Sequence, residues 1–466
     1  MARIVVIGAG ICGNTAALLL ARDGHQVTIV DRDDPAPDDL EQAWSGWDRR
    51  SVAQFRFAHL MLARGTQILR DELPDVIERL VSNGALQFNV VKGLLPLSGS
   101  EIEPADARFD MVTGRRTTIE WALARSVASE SRITVRHSCA IADLVTGTEV
   151  ITGVPHVTGV RLDSGEVVSA DLVVDVSGRR SATVRWLESI GAQPPSEHSE
   201  DSGFAYYGQF YRSDDGSVPA ILAPGLTPFG SMSILTIPSD NGTWSVTLYA
   251  SSDDAPLRRF REPEVFDRVV RSCPAHAHWL DGTPISELAS MTGVVDRSRH
   301  FVVDGRPVVT GMVTVADAAA CTNPSLGRGM SIGLMHTVVM RDAVRAHLDR
   351  PGDLAMAFDD ATRSVIEPWH DATRAMDRAR NAEMRAIATG TEVVNDPTLA
   401  ISAALGTAVT MDPVAARAFG ELQGCLALPM EVFSRPGLLD RVISVAADRN
   451  AAPPGPDRAE LLELVS

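Results

Sequence analysis

Apolar residues run unbroken from Ile4 to Ile7, stop at a cluster of glycines, and resume over Thr15–Arg22 as an Ala/Leu-rich stretch. A short apolar run bounded by glycine reads as a buried strand, and the longer stretch after it has helical character. Val27–Val30 follows Asp23-Gly24 as the next strand. The three pieces predict a βαβ unit of about 30 residues, the length a parallel strand pair with a right-handed crossover requires. The acidic, proline-containing and aperiodic segment Asp33–Asp48 predicts a long surface loop. Ala58–Glu72 and Thr118–Ser129 have helical period, and Ile133–Val135 is a strand. Val157–Leu162 and Glu166–Ser169 flank Asp163-Ser164-Gly165 and predict a hairpin, with Leu172–Val176 as a further apolar strand.

The pattern changes near Phe204. From there to Tyr249, alternating segments such as Tyr206–Tyr211 and Trp244–Tyr249 predict antiparallel strands rich in aromatic residues. Phe301–Val303 and Val308–Val315 return to the idiom of the first strand, and Gly327–His347 predicts a long helix. After Pro351 the chain reads as helical and Ala/Arg-rich, with a loose Ala451–Pro456 segment near its end. The predicted fold is therefore α/β, with a discontinuous Rossmann-like unit from residues 1–85, 101–185 and 295–350. An antiparallel β unit from 86–100 and 186–294 interrupts it, and a helical C-terminal region occupies 351–466.

Composition narrows the function classes. Among 466 residues, Lys+Arg number 43 against Asp+Glu 60, a formal net charge of −17 that repels phosphate backbones and anionic lipid. Neither a nucleic-acid partner nor a membrane span is expected, since no apolar run approaches the roughly 18 residues that a span needs. The apolar start reads as a strand and not a signal peptide, so a cytoplasmic location is expected. Cys12, Cys139, Cys273, Cys321 and Cys425 are scattered, which argues against a disulfide framework. No metal is expected: His276-x-His278 lacks a third ligand at a recognised spacing.

The glycine cluster is Gly8-x-Gly10-x-x-Gly13, between strand and helix, and Asp31 followed by Arg32 closes the next strand. Gly8 permits the tight turn, Gly10 lets backbone approach a pyrophosphate, Gly13 allows helix–strand packing, and Asp31 can accept a ribose hydroxyl. The helix N-terminus adds free N–H groups and partial positive charge. This predicts a dinucleotide site without separating FAD from NAD. A second constellation does so. Asp317 closes the apolar strand that ends at Val315, and Asn323-Pro324-Ser325-Leu326-Gly327-Arg328-Gly329-Met330 opens the long helix. A strand-end acid suits the hydroxyls of a ribityl chain, and a glycine-rich helix start offers N–H groups to the electron-rich edge of an isoalloxazine.

This pairing resembles the FAD-binding fingerprints of the p-hydroxybenzoate-hydroxylase-like flavoprotein monooxygenases, in which a G-D strand end binds the ribityl chain and an N-P-x-x-G-x-G loop flanks the flavin. Here Ala316-Asp317 stands for G-D. Asp175–Ser181 with Arg185 resembles that family's D-G-x-x-S-x-x-R segment at altered spacing, and Arg116 fits its R-x-x-L-x-x-x-L helix start, where Thr117 or Thr118 could cap the helix. Arg49-Arg50-x-x-x-Gln54-x-Arg56-x-x-His59 resembles the segment that passes beside the cofactor, most narrowly in the polyether-pathway polyene epoxidase subgroup.

The resemblance covers about residues 1–350. It implies non-covalent FAD held by Gly8, Gly10, Gly13, Asp31, Arg32, Arg50, Gln54, Arg116, Asp317, Pro324, Gly327, Gly329 and Met330. It also implies electrons from NAD(P)H or from a partner flavin reductase, and O2 and a small molecule as co-substrates. The activity implied is a monooxygenase of secondary metabolism, epoxidising or hydroxylating a sizeable apolar substrate through a C4a-hydroperoxyflavin. The loop Pro324–Met330 would stabilise charge at the flavin edge, with no obligatory catalytic side chain. No second dinucleotide fingerprint is present, so no separate NAD(P)H domain is expected. Tyr207, Tyr211 and Phe229 are the candidate substrate-lining residues. The alternative reading is a flavin-dependent C=C reductase or dehydrogenase of the geranylgeranyl-reductase-like type.

Overall fold

A computed structural model describes residues 1–52, 54–447 and 454–466. Residues Ala451, Ala452 and Pro453 of the loose segment predicted near the end lie outside the described residues. Five strands form one wholly parallel sheet in the order Met312–Thr314, Leu172–Asp175, Arg3–Ile7, Gln26–Val30, Ile133–Arg136. Whereas the edge strand Ile133–Arg136 alternates and buries none of its residues, the inner strands Arg3–Ile7 and Leu172–Asp175 are mostly apolar and buried, as expected of strands covered on both faces. Alternation along the central strand shows this directly. Ile4 and Val6 pack into a cluster with Leu18, Leu20, Ile119 and Leu334 from the helices, while Val5 and Ile7 face Val160, Leu162 and Trp186 on the other side. The predicted hairpin is part of a three-stranded antiparallel meander, Ile141–Thr146, Val157–Leu162 and Val167–Ser169.

Register explains where a ligand must go. Ile7 pairs with both Val30 and Asp175, and Asp175 with Thr314. The residues that follow, Gly8, Asp31, Val176 and Ala316-Asp317, therefore leave the sheet at one edge although they are far apart in sequence. Open α/β sheets bind ligands outside the carboxyl ends of their strands, at this kind of edge.

The second sheet is antiparallel, in the order Leu226–Phe229, Met232–Pro238, Thr243–Ser251, Phe204–Arg212, Thr283–Pro284, with Ala289–Met291 also pairing to Phe204–Arg212. One face is covered by the helix Pro263–Arg271, which buries Val265, Phe266, Val269 and Val270, and by Leu461 and Val465 of the closing segment. Helices make up most of the chain from Gly329 onward, the longest being Glu367–Thr389. Among the described residues no helix is long and apolar enough to cross a membrane.

Four local expectations are corrected. The acidic segment predicted as a loop contains a helix, Leu40–Gly46, capped by the Asp39 carboxylate on the Gln42 N–H. The helix predicted from Ala58 begins only at Ala63, because the chain before it is held elsewhere: Met61 N–H donates to the Thr113 hydroxyl at 3.2 Å. The long helix starts at Gly329, since Gly327 adopts a left-handed φ of 64° that ends the preceding turn. Neither Thr117 nor Thr118 caps the helix Arg116–Ala128; the Thr118 hydroxyl donates to Asp240.

Candidate active site

A single cavity of about 2130 Å³ opens at the carboxyl edge of the parallel sheet and extends under the antiparallel one. Sites for drug-sized ligands are about 300–1,000 Å³, so this space has room for a dinucleotide and a second molecule together. Gly8 and Gly10 border it, as do Pro324, Gly327, Gly329 and Met330. The two glycine-flanked helix starts, more than 300 residues apart, thus face one space.

The glycines do different work. Gly8 sits at φ 103°, and a Cβ there would stand 2.9 Å from the Val176 carbonyl oxygen. Gly13 lies outside the cavity lining and packs directly on Gly8, where a Cβ would fall 1.9 Å from its carbonyl oxygen. At Gly10 and Gly329 a Cβ would meet no protein atom within 4 Å. Their bareness leaves cavity space open to a ligand. Both helix N-termini also lack a side-chain cap, so their free N–H groups and positive dipole ends are available to an anionic or electron-rich group.

Asp31 lines the cavity with Arg32 beside it. Its carboxylate accepts the N–H groups of Ala9, at 2.5 Å, and Asp33, at 2.8 Å, so the acid also ties the glycine turn to the second strand. A carboxylate offers about four lone-pair positions, which leaves capacity for a ribose hydroxyl. Arg49, rather than Arg50, reaches this place. Its buried guanidinium lies 3.6 Å from Asp31, 3.4 Å from Asp33 and 3.5 Å from Glu120. Arg50 points outward, ion-paired with Asp48. Gln54 borders the cavity, and so does Arg116, whose Nε donates to Glu120 at 2.7 Å. Arg116 also contacts Nε2 of His59 at 3.1 Å. Burial, and then the positive charge of Arg116, pushes the His59 pKa down to about 3, so its ring is neutral.

Asp317 lines the opposite part of the cavity, 3.5 Å from the Arg179 guanidinium. Before it, Ala316 holds φ 54°, the left-handed conformation that glycine adopts freely and that costs an alanine on the order of 1 kcal/mol. The backbone keeps the glycine geometry that the residue type has lost. Ala316 N–H donates to Nδ1 of the buried His336 at 3.0 Å, which helps to hold this turn.

The aromatic expectation falls on the wrong face. Tyr207, Tyr211 and Phe229 are buried in the core with Trp244, Phe260 and Trp279, on the sheet face that the helix Pro263–Arg271 covers. Tyr206 and Tyr249, on the opposite face, line the cavity. The Tyr206 hydroxyl donates to Oδ1 of Asn323 at 2.8 Å. Sequence reasoning missed Asp377 altogether. It projects from the helix Glu367–Thr389 into the cavity wall and accepts the Ser325 hydroxyl. The helix Pro397–Ala408 completes that wall, so the C-terminal region is part of the site.

The chain is similar to known proteins. Residues 3–128 match the family model described as FAD dependent oxidoreductase. Over 380 residues the chain is 27% identical to Protein Rv3254 of Mycobacterium tuberculosis, covering 78% of this chain and 77% of that protein. It is 28% identical over 409 residues to a kynurenine 3-monooxygenase of Salinispora arenicola, covering 80% and 79%. Its fold is similar to that of PqsL, a probable FAD-dependent monooxygenase from Pseudomonas aeruginosa, with a TM-score of 0.60 at 15% identity over 84% of this chain and 100% of that one. Two uncapped helix starts, two strand-end acids and bare glycine positions on one cavity fit an extended FAD. The site is that of a dinucleotide-binding flavoprotein. The first 128 residues match FAD-dependent oxidoreductases, and the fold of the chain is similar to that of a probable FAD-dependent monooxygenase.

Proposed function

We propose that the chain is a monooxygenase that places one oxygen atom of O2 into a sizeable, mostly apolar small molecule, by hydroxylation or epoxidation. The observation that carries this reading is the size and continuity of the cavity, which runs from the two cofactor-binding helix starts to the Tyr206 and Tyr249 face of the antiparallel sheet. The kynurenine 3-monooxygenase relative supports it.

When bound, FAD would supply the redox chemistry, with NAD(P)H or a flavin reductase as the electron source and O2 as co-substrate. The protein binds and orients. The N–H groups at the start of Ile11–Arg22 receive the pyrophosphate, Asp31 and Arg32 the adenosine ribose, Gln54 and Arg116 the middle of the cofactor, and Asp317 the ribityl chain. N–H groups from Gly327 to Met330 would stabilise the negative charge that grows on a bound flavin when it is reduced. The apolar walls exclude water from the reacting face.

Two measurements test this. The purified protein should be yellow, and incubation with a reductant, substrate and isotopically labelled O2 should put the label into product. A C=C reductase would turn over without incorporating it, and that outcome would replace the present reading.

A further inference from the structure

From Pro397 to Met411 the chain has no charged residue, although 22% of all its residues are charged. A helix without charge on any face belongs in an interior. Yet the helix Pro397–Ala408 buries only Leu405 and Ala408 against protein, and most of its residues line the cavity. Leu405 packs with Val409 and Val432 in a helical cluster that Leu94 joins from the helix Val90–Leu94. Together with the helix Pro429–Phe433 these elements wall one lobe of the cavity. Every cavity-lining residue from Phe88 to Leu97, and from Pro397 to Phe433, is uncharged.

The lobe has two ends. At its mouth Leu97 and Met430 line the cavity while 65% and 83% exposed. At the inner end the Arg328 guanidinium donates to the Leu422 carbonyl at 3.4 Å, so the lobe begins beside the loop Pro324–Met330. Gly93 and Gly406 also line it, and a Cβ at either would meet no protein atom within 4 Å. A charged ligand group would be desolvated here without a counter-charge, whereas an apolar chain gains by leaving water.

We infer that this lobe holds the tail of an elongated, uncharged, apolar substrate, and that Gly93 and Gly406 set its bore. This rests on reading the cavity beyond the cofactor loop as the substrate site, and adds the shape and charge of the molecule. The reacting end then lies between the cofactor loop and the Tyr206 and Tyr249 face, and the tail runs past Leu422 toward Leu97 and Met430.

Calorimetric titration of the purified holoprotein with 1-hexanol, 1-octanol, 1-decanol and 1-dodecanol tests this. A buried methylene is worth roughly fourfold in affinity, and the affinity should climb by about that factor per methylene at least as far as decanol. The diol 1,10-decanediol should displace decanol, and decanedioate, charged at both ends, should not. Gly406→Phe fills the lobe from one wall and Gly93→Phe from another. In each, decanol should bind at least about tenfold more weakly, as when two methylenes are left out, while hexanol stays within about threefold. Replacing a glycine inside a helix removes its propensity cost, so melting temperature and flavin content should match wild type, which separates blocking from misfolding; if one variant does not fold, the other carries the test. An affinity that levels off at hexanol in the wild type, decanol binding untouched by both substitutions, or decanedioate binding as tightly as the diol overturns the inference. Binding needs no turnover. A failed labelled-oxygen experiment would therefore remove the monooxygenase reading and leave this result standing.

Discussion

Asp240 holds Arg115 at both main chain and side chain: one carboxylate oxygen accepts the Arg115 N–H at 2.5 Å and the other its guanidinium at 2.7 Å, with 1% or less of either side chain exposed. Asp240 closes the turn between the strands Met232–Pro238 and Thr243–Ser251. Arg115 opens the helix whose next residue, Arg116, borders the cavity. The pair therefore fixes the antiparallel sheet to the cofactor-binding half at the wall of the site.

Breaking this pair should cost much more than losing a surface ion pair. Burial raises the Asp240 carboxyl, and the hydrogen bonds and charge of Arg115 more than reverse that, so the group lies below the ordinary carboxylate range. Asp240→Ala leaves a buried guanidinium without its counter-charge, for which about 3–5 kcal/mol is the usual loss. Urea unfolding at neutral pH measures it. A loss under about 1 kcal/mol would show that the pair does not join the two halves.

Gly10 and Gly13 lie three residues apart and should fail in opposite ways. A side chain at Gly10 enters open cavity, so Gly10→Val should keep a wild-type melting temperature while FAD retention falls at least about tenfold. Gly13→Ala drives a methyl into the Gly8 carbonyl, and overpacking of this kind costs about 1–3 kcal/mol or more. Thermal melts paired with flavin content after gel filtration separate the two. Equal behaviour of the variants would refute the division of labour.

Asp317 lines the cavity, and among the described residues Arg179 is its one ion-pair partner. Removing a hydrogen bond from a charged group costs about 1.5–3 kcal/mol, so Asp317→Ala should lower FAD affinity roughly 10- to 150-fold. Asp31→Ala should weaken binding too, and should also loosen the fold, because Asp31 accepts the Ala9 and Asp33 N–H groups. Fluorescence titration of the apoprotein with FAD reads both. Wild-type affinity in Asp317→Ala would remove the ribityl assignment.

These features differ in how far the chain alone reveals them. The glycine turns and strand-end acids are local: a left-handed φ or a bare Cβ position leaves its mark on the residue type, so both glycine-flanked helix starts that border the cavity could be located before folding was known. Alternation established that Tyr207 and Tyr211 share a face opposite Tyr206, but not which face the helix Pro263–Arg271 would cover. That choice depends on a segment more than 50 residues away. The same holds for Arg49 against Arg50, decided by Asp31 and Asp33 after the second strand together with Glu120 from a distant helix. Asp377 did leave a signal, an acid on the buried stripe Trp369, Thr373, Asp377, Arg380, Met384. Composition hid it among the many charged residues of that helix.

The steepest pH dependence of stability should come from buried histidines. Burial pushes the pKa of His336 down to about 3 and those of His276 and His370 down to about 4. Each is 6% exposed or less, and His336 and His276 are tied to neutral partners, Thr362 on one and Thr227 and Thr236 on the other. In the unfolded chain a histidine titrates near 6.5. Between about pH 4 and 6.5 the unfolded state therefore binds protons that the folded state refuses, and stability rises with pH across that window. The contribution is complete above about 6.5. It falls by up to about 1.4 kcal/mol per pH unit for each histidine as the medium is acidified. Urea midpoints recorded at pH 7.5, 6 and 5 should drop progressively, with most of the loss below pH 6.5. A flat profile over that range would mean that these rings are protonated, or solvated, in the folded protein.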